Sequence, residues 1–393
     1  MRVLIIPSWY PTQSNPIGGV FFREQALALH TYGHEVSVLY PEFRSLRNWR
    51  SIATGRYGVV RENDDGITTL RSHGMVWVPR MPHASDWLWI HEGVRLYEVF
   101  KREFGHPDLI HAHAMLNAGH VAMAIERRYG VPFIVTEHDS GYARGTLGRR
   151  RLQGAKVVAR RASRRFAVSR PFCALLDDLL GLGTGSWEEM PNIVERRFID
   201  APLRNRDGKG NAFRFINVSL LTENKGVHYL IRAFAHAFAN DACVTLDIGG
   251  DGVERARLEA LAHDEGVSDR VRFLGTLSRD EVVKAVSEAD AFVLSSTFET
   301  FGVVAIEALA LGTPVVATRC GGPESIVRPQ DGILVATDDV DALASGMKRL
   351  RTNHDQYDAS EMRNSCIARY SEEAIARRLS HAYEAVVASS ARP

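Results

Sequence analysis

The chain has 393 residues, more than one hydrophobic core usually serves, so two domains are expected. Its composition, 45% hydrophobic and 24% charged with no low-complexity tract, is that of an ordinary soluble globular protein. The formal net charge is only +1, so a nucleic-acid partner is not expected.

The spacing of the cysteines and the length of the apolar runs indicate the cellular compartment of the protein. The four cysteines are scattered without a CxxC spacing, which favours free thiols in a reducing compartment over a disulfide framework or a zinc site. The apolar stretch in MRVLIIPSWY is too short for the core of a signal peptide, and no apolar run is long enough to span a bilayer. We therefore expect a cytoplasmic protein.

The first half of the chain alternates short β-branched runs with helical patterns. The expected strands are RVLIIPS, EVSVLYP, DLIHAHAM, PFIVTEH and RFAVS, and two expected helices are GGVFFREQALALHTYG and HVAMAIERRYG. Strands separated by helices of about 10–15 residues predict βαβ units and a parallel sheet. We place this first domain at residues 1–188.

The second half repeats this organisation after a break. Residues 191–212 are polar and contain Pro and Gly, which makes them the best linker candidate. The alternation then restarts with the strands FRFINVSLL, VTLDIGG, VRFLGTL, AFVLSS, TPVVAT and GILVA. We expect a second domain at residues 189–370 and a helix within residues 371–393. The predicted fold class is α/β, with two doubly wound domains facing a central cleft and ligands at the carboxyl ends of the strands.

Two glutamates in FETFGVVAIEALALG stand out beside an apolar run. Glu299 falls in a strand-to-helix loop, and Glu307 lies about one and a half turns into the following helix. The first N–H groups of that helix, from Phe301 to Val304, favour an anion. Carboxylates at both places could accept hydrogen bonds from vicinal hydroxyls, as on a sugar ring and a ribose. The alternative is one charge favouring the helix dipole and one solvated helix face.

Several glycine-containing loops follow strands in the same way. GGPES and NPIGGVFF, which contains Gly18 and Gly19, suit close approach of backbone N–H groups to phosphate, or simply tight turns. TENKG places Lys225 between a strand and a helix, where an ammonium suits a diphosphate. IGGDGVER, which includes Gly250, fails as a dinucleotide fingerprint because Arg255 stands where a third glycine belongs.

Histidines mark the ends of two strands in the first half. His111 and His113 share one face of a strand, and TEHDSG ends another strand with His138. No carboxylate completes a plausible ligand set, so a metal is not expected, and histidines packed at strand ends are the alternative to a functional role. The DDVD sequence near Asp339 precedes a helical pattern, and we interpret it as a helix cap.

A basic segment in the first half could have a partner of its own. Residues 140–176 contain ten basic residues, from Arg144 to Arg170, and no acidic residue. This segment could seat the first domain on an anionic membrane, or it could be a solvated arginine-rich helix. Three tryptophans and a tyrosine could form an acceptor-side or membrane-facing surface or belong to the core: Trp77, Trp87, Trp89 and Tyr97.

Taken together, these motifs resemble the retaining GT-B glycosyltransferases of family 4, also called glycosyl transferase group 1. ETFGVVAIE is similar to the Glu-x7-Glu signature of that family, and LGTPVVAT, GGPES and DGILV follow in the family's order. The N-terminal NPIGGVFFREQALALHTYGHEV, IHAHAM and VPFIVTEHD resemble the acceptor-side opening and cleft strands. SEEAIARRLSHAYEAV resembles the family's helix that returns to the first domain, so the resemblance covers nearly the whole chain.

The resemblance also implies roles for individual residues. Glu307 would hold the donor's ribose hydroxyls, Glu299 the hydroxyls of the transferred sugar, and Lys225 the diphosphate. The remaining donor contacts would come from Gly19, Gly250, Thr300, Phe301, Gly302 and Val303. His138 would border the reacting sugar, and Gly18 and His113 would line the acceptor side.

One departure concerns the phosphate site. The family often has an arginine five residues before the lysine, and here that position is Leu220, in SLLTENK. Lys225 and backbone N–H groups, or a cation from elsewhere in the cleft, would have to neutralise the diphosphate.

The activity implied is hexosyl transfer with retention. A hexose-type sugar would move from a UDP- or GDP-sugar to a hydroxyl acceptor, plausibly a lipid-linked glycan in the assembly of a cell-surface polysaccharide or glycolipid at the inner face of the membrane. The leaving phosphate would take the acceptor's proton on the front side, without a metal or another cofactor. The alternatives are a nucleotide-sugar epimerase of GT-B fold and a non-catalytic subunit that binds a sugar nucleotide.

Overall fold

The computed structural model describes residues 1–13, 15, 18–45, 58–76, 82–204 and 212–390. The chain divides into two compact units, and each has a sheet of its own. The first unit comprises Met1–Ile193 and Glu372–Pro393, and the second comprises Val194–Ser371.

The first unit is built on a mostly parallel sheet. Its strands are β1 (Arg2–Pro7), β2 (Glu35–Ser45), β3 (Gly58–Asp64), β4 (Ile67–Val76), β5 (Leu109–His113), β6 (Phe133–Glu137), β7 (Arg164–Ala167) and β8 (Glu188–Glu189). In the described part of this unit they lie in the order β3-β4-β2-β1-β5-β6-β7-β8. β3 pairs antiparallel with β4, and the other neighbours are parallel. The chain therefore winds in both directions from β1, as predicted.

Helices connect these strands and cover the sheet. They are α1 (Val20–Thr31), α2 (Pro82–Phe104), α3 (His120–Tyr129), α4 (Arg149–Arg161) and α5 (Arg170–Leu180), with a π-helical turn at Met115–Gly119. α1 buries Phe22, Ala26 and Leu29 on one face, which packs on the sheet. This spacing of apolar residues is the helical pattern that the sequence shows.

The β3–β4 hairpin and α2 were absent from the predicted elements. β3 is half-exposed and reads VVREND, so it lacks a clean apolar run. Asp65 and Gly66 both have positive φ, 50° and 94°. An Asp-Gly turn of this kind joins antiparallel strands, and it is the signal that could have revealed the hairpin.

The second unit is built on a fully parallel sheet. Its strands are β9 (Phe213–Val218), β10 (Val244–Gly249), β11 (Val271–Gly275), β12 (Ala291–Leu294), β13 (Val315–Thr318) and β14 (Gly332–Val335). The order β11-β10-β9-β12-β13-β14 among the described strands is that of a doubly wound fold. The direction of winding reverses between β9 and β12, and ligands bind at such a point, outside the carboxyl ends of the strands.

The helices of this unit follow the strands as predicted. They are α6 (Arg196–Asp200), α7 (Val227–Phe238), α8 (Arg255–Asp264), α9 (Arg279–Glu288), α10 (Val303–Ala310), α11 (Pro323–Ile326), α12 (Val340–Thr352) and α13 (Ala359–Tyr370), with 3-10 turns at Glu223–Lys225 and His354–Gln356. Asp339 caps α12, because its Oδ1 accepts the N–H of Ala342 at 2.8 Å. The interpretation of DDVD as a cap is therefore confirmed.

The last helix, α14 (Glu372–Ser390), belongs to the first unit. It buries Ile375, Leu379 and Tyr383 in the same core cluster as α1. The hydroxyl of Tyr383 also lies 2.7 Å from Nδ1 of His111 on β5. The chain thus completes its first core with its last helix.

Candidate active site

The loops after β9 and β12 bring Lys225 and Glu299 together. Nζ of Lys225 donates to Oε1 of Glu299 at 2.6 Å, and Oγ of Ser296 donates to the same oxygen at 2.8 Å. The side chains of Lys225 and Glu299 remain 23% and 16% exposed, so a ligand can reach both. Sequence reasoning placed both residues at this edge of the sheet, but it did not anticipate their ion pair or the contribution of Ser296.

Backbone contacts hold these two loops in register. Gly226 follows Lys225 with φ 62°, and a Cβ atom there would lie 2.1 Å from the carbonyl oxygen of Ser295. Oγ of Ser295 donates to the carbonyl of Lys225 at 2.9 Å, and the N–H of Thr297 donates to the carbonyl of Asn224 at 2.9 Å. The close approach requires glycine at position 226, and it fixes the lysine beside the glutamate.

The GGPES turn packs directly on the Glu299 loop. The N–H of Glu299 donates to the carbonyl of Cys320, and the N–H of Gly322 donates to the carbonyl of Glu299, both at 2.8 Å. A Cβ atom on Gly322 would lie 2.1 Å from the carbonyl oxygen of Phe301. Oε1 of Glu324 accepts the N–H of Gly321 at 3.2 Å, so this carboxylate orders the turn.

The helix that follows Glu299 begins at the same edge. Gly302 precedes α10 with φ 92° and ψ 62°, a left-handed conformation that favours glycine. Because the first N–H groups of a helix lack intrahelical partners, α10 offers donors next to the Lys225–Glu299 pair. Thr300, Phe301, Gly302 and Val303 all lie in or beside this turn.

Glu307 on α10 is buried, which makes the solvated-face alternative wrong. Its side chain is 3% exposed, and Oε1 accepts from Nη2 of Arg279 at 2.6 Å. The same nitrogen contacts Oε1 of Glu195. Burial raises the pKa of Glu307 above its ordinary value, and the Arg279 guanidinium opposes this shift. Among the described residues, Oε2 of Glu307 has no hydrogen-bond partner.

Arg279 and Glu195 are site residues that sequence reasoning missed. Neither lies in the motif that contains Glu299 and Glu307, because Arg279 begins α9 and Glu195 precedes α6, so spacing along the chain gives no signal for either. Leu220, at the departure from the family pattern, is 61% exposed and supplies no cation.

Gly250 has φ 122°, and a Cβ atom there would lie 1.8 Å from the carbonyl oxygen of Ser219, so the contact between loops explains this glycine.

In the first unit, Gly18 and Gly19 form the turn before α1. Gly19 has φ 78°, and a Cβ atom there would lie 2.7 Å from the carbonyl oxygen of Trp9. The N–H of Gly18 donates to Oδ1 of Asn15 at 3.1 Å. Gly19 therefore has a structural reason to be glycine, and the predicted ligand contacts of both residues remain predictions.

Three histidines at the ends of β5 and β6 form a buried stack. Nδ1 of His113 lies 3.3 Å from Nε2 of His138, and the ring of Phe22 lies 4.5 Å from that of His113. His111 is satisfied on both nitrogens, by Tyr383 and by Thr136. Within the described part of the chain, Nε2 of His113 and Nδ1 of His138 have no partner. These two buried nitrogens are therefore the unpartnered ring atoms of the stack among the described residues.

Burial controls the protonation of this stack. It lowers the pKa of His111 and of His138 to about 3, and that of His113 well below its ordinary value. All three are therefore neutral at pH 7. Burial also raises the pKa of Glu137 to about 7, although its carboxylate accepts the N–H groups of Met115, His138 and Asp139, each at 2.8 Å.

Because these histidines are buried and neutral, we expect the folded protein to lose stability in mild acid. Below pH 6.5 the histidines of the unfolded chain bind protons, whereas the buried histidines of the folded protein do not. Each of these histidines therefore lowers the free energy of unfolding by about 1.4 kcal/mol per pH unit, down to its folded pKa. Glu137, between pH 4.5 and 7, and Glu307 have the opposite sign. Burial also lowers the pKa of three further histidines, His34, His120 and His228, so the histidines outweigh the two carboxylates. We expect the unfolding midpoint to fall markedly from pH 7.5 to 5.5.

A matched pair of variants checks this origin. His111→Gln removes one buried imidazole and should make the decline with pH shallower. His263→Gln, at an exposed position on α8, should leave the decline unchanged. If His111→Gln unfolds with the same pH dependence as the wild type, the buried histidines are not responsible.

Two features are absent from the described residues. No group of three His, Cys, Asp or Glu side chains in this part of the chain is arranged to hold a metal ion. No helix in it is long and apolar enough to cross a membrane.

The fold agrees with comparisons to known proteins. The solved structure of HepE from Anabaena in complex with UDP has a TM-score of 0.74 at 19% identity, over 98% of this chain and 100% of that one. The two doubly wound sheets are therefore those of the GT-B fold. Residues 18–192 match the model described as a glycosyl transferase 4-like domain, and residues 202–372 match that of glycosyl transferases group 1.

Curated relatives extend the match along the chain. Glycogen synthase of Mycobacterium tuberculosis is 30% identical over 363 residues, covering 88% of this chain and 85% of the relative. A protein named putative teichuronic acid biosynthesis glycosyltransferase TuaC, from Bacillus subtilis, is 26% identical and covers 99% and 100% of the two chains. The chain therefore belongs to the group 1 glycosyl transferases, family 4, whose members use nucleotide-sugar donors.

Proposed function

We propose that this protein transfers a hexose from a UDP- or GDP-sugar to a hydroxyl acceptor with retention of configuration. The observation that carries the proposal is the meeting of Lys225 and Glu299 where the winding of the second sheet reverses. A cation for the diphosphate and an acceptor for sugar hydroxyls lie 2.6 Å apart there. The turn before α10 adds N–H donors to the same edge.

In this proposal three groups of the second unit bind the donor. Lys225 neutralises the diphosphate, with help from the N–H groups around Gly302. Glu299 accepts hydrogen bonds from the sugar, and Oε2 of Glu307 accepts one from the ribose. In this proposal no arginine takes the role that the family's arginine has at position 220. The helix N-terminus therefore stabilises a larger part of the negative charge on the diphosphate.

The chemistry follows from where charge develops. As the glycosidic bond to the diphosphate breaks, negative charge grows on the leaving oxygens and positive charge grows on the sugar ring. Fixed donors at the phosphate stabilise the first without solvent reorganisation, which is usually the largest catalytic contribution. The leaving phosphate then accepts the acceptor's proton on the same face, so the proposal involves no metal or other cofactor.

The first unit supplies the acceptor side in this proposal. Nδ1 of His138 and Nε2 of His113 are unpartnered within the described residues, and both rings are neutral. A neutral ring nitrogen can accept a hydroxyl proton or donate to a hydroxyl oxygen, depending on its tautomer. His138 would border the reacting sugar, while His113, Gly18 and Gly19 would border the acceptor and the phosphates.

A single assay separates the proposal from its two alternatives. The protein is incubated with UDP-, GDP-, ADP- and dTDP-hexoses and candidate acceptors, and the products are followed by NMR. Transfer gives free nucleoside diphosphate and a glycoside of the donor's anomeric configuration. An epimerase gives an altered sugar nucleotide, and a binding subunit gives no product, so either result would overturn the proposal.

The acceptor class and its location are further parts of the proposal. We propose a lipid-linked glycan in surface-polysaccharide or glycolipid assembly, reached from the cytoplasmic side; the name of the TuaC relative supports the polysaccharide pathway.

Exposed basic residues favour a peripheral membrane contact for this unit. In the described segment from Arg144 to Arg170, several arginines are held by acidic residues or carbonyls: Arg151, Arg161, Arg164, Arg165 and Arg170. Arg144, Arg149, Arg150 and Arg160 are exposed. Trp87 is 64% exposed and follows Asp86, the partner of Arg151, whereas Trp89 and Tyr97 are core residues and Trp77 lies outside the described residues.

Each exposed cation near an anionic surface contributes about 1 kcal/mol to binding. Cosedimentation with anionic vesicles should therefore weaken on charge reversal by Arg149→Glu with Arg150→Glu. Equal binding to neutral and anionic vesicles would exclude this contact.

A further inference from the structure

Arg279 connects two carboxylates that are far apart in sequence. It is the first residue of α9, directly after the N-cap Ser278, whose side chain and Glu281 form a capping box. Its Nη2 donates to Oε1 of Glu307 at 2.6 Å and contacts Oε1 of Glu195. The guanidinium also lies over the ring of Phe198, 4.8 Å from its centroid. Its position is thus fixed from three sides.

The environment of Glu307 explains why a fixed cation matters. A buried carboxylate without a charged partner is strongly disfavoured and tends to take up a proton. Arg279 is the partner that the structure gives it, and it engages only one of the two oxygens. Oε2, also buried, has no hydrogen-bond partner among the described residues. A buried acceptor left in this way indicates a place for a ligand hydroxyl.

We propose that Arg279 is a positioning residue for Glu307: it fixes the carboxylate through Oε1, so that Oε2 is presented to a ribose hydroxyl of the donor. This inference rests on the proposed function, since it requires a nucleotide at Glu307. It adds a residue 28 positions before the glutamate and outside the Glu-x7-Glu sequence. Arg279 does not touch the donor in this proposal, because its effect passes through Glu307.

The test compares ribose and deoxyribose nucleotides, which differ at the hydroxyl in question. UDP, GDP and ADP and their 2′-deoxy counterparts are titrated by calorimetry into wild type, Arg279→Gln and Arg279→Lys. Wild type should bind the ribose form of its nucleotide about tenfold or more tightly than the deoxy form, the range for one hydrogen bond to a charged group. Arg279→Gln should bring this ratio close to one while its affinity for the deoxy form changes less than about threefold. Arg279→Lys should recover most of the ratio.

A control variant distinguishes positioning from general damage. Arg272 pairs with the buried Asp247 at 2.6 and 2.7 Å near the start of β11, so Arg272→Gln removes a comparable pair within the same unit. Arg272→Gln should keep the wild-type ratio. An unchanged ratio in Arg279→Gln, or equal weakening of both nucleotides, would overturn the inference.

The outcomes also separate this inference from the proposed function. If wild type binds no nucleoside diphosphate, the proposed function fails and the inference falls with it. If wild type binds one and Arg279→Gln discriminates as before, only the inference fails. Should Arg279→Gln not fold, Arg279→Met, which keeps most of the side-chain volume, decides by the same criterion: a ratio close to one with an intact fold supports positioning, and an unchanged ratio contradicts it.

Discussion

Replacement of Lys225 by alanine is expected to lower the turnover of the donor by about 10²–10³-fold, the usual effect of removing one fixed donor from developing charge. Leu220 offers no second cation at the position where the family often has an arginine. Folding stability should change by no more than about 1 kcal/mol, because the Lys225–Glu299 pair is partly exposed and Ser296 still bonds the glutamate. Steady-state rates and thermal unfolding of the same preparations measure both effects.

Lys284→Ala is the matched control for this experiment. Lys284 is exposed on α9 of the same unit, so its loss removes a positive charge without removing the pair. We expect wild-type turnover from this variant. If Lys225→Ala retains turnover within about fivefold of wild type, Lys225 is not the phosphate donor.

Replacement of Glu299 by glutamine is expected to change binding and turnover in opposite directions. In the free protein Glu299 neutralises Lys225, so a nucleoside diphosphate competes with this carboxylate for the ammonium. Glutamine removes the competition, and the bare nucleoside diphosphate should bind about two- to fivefold more tightly, the worth of a partly exposed pair. Turnover of the sugar nucleotide should fall by about 10–100-fold, because a charged acceptor for the sugar is lost.

Glu324→Gln provides the comparison for this pair of effects. Glu324 lies in the neighbouring GGPES turn and bonds Gly321 rather than Lys225. This variant should leave nucleoside diphosphate affinity unchanged. Weaker binding of the nucleoside diphosphate by Glu299→Gln would show that Glu299 supports the phosphate site instead of opposing it. Calorimetry and a turnover assay on one preparation separate the two outcomes.

The fold could be predicted because its signals are local. Each strand of the second unit is a short apolar run that ends in a polar or glycine loop, and each helix carries its own apolar spacing. The placement of Glu299 and Lys225 followed from this alternation, since the carboxyl ends of parallel strands share one edge. Asp339 and Glu324 were likewise predictable, because a cap and a turn involve residues three positions apart.

The remaining features depend on contacts between distant segments. The Lys225–Glu299 pair joins residues 74 positions apart, and Arg279 reaches Glu307 from the start of α9. Glu307 is the clearest example of what the sequence does not reveal. Because α10 is apolar on nearly every side, the whole helix is buried and the carboxylate of Glu307 is buried with it. A pattern of helical spacing can suggest a buried face, but it does not reveal which arginine enters it.

The most direct test of the central claim is thermal unfolding with UDP-, GDP-, ADP- and dTDP-sugars for wild type, Glu307→Ala and the exposed control Glu259→Ala. One nucleotide class should stabilise wild type and Glu259→Ala by about 2.7 kcal/mol at 100 times its dissociation constant. The same ligand should leave Glu307→Ala unshifted. A shift of equal size in Glu307→Ala, or no shift of wild type by any class, would contradict a sugar-nucleotide site at this edge of the second sheet.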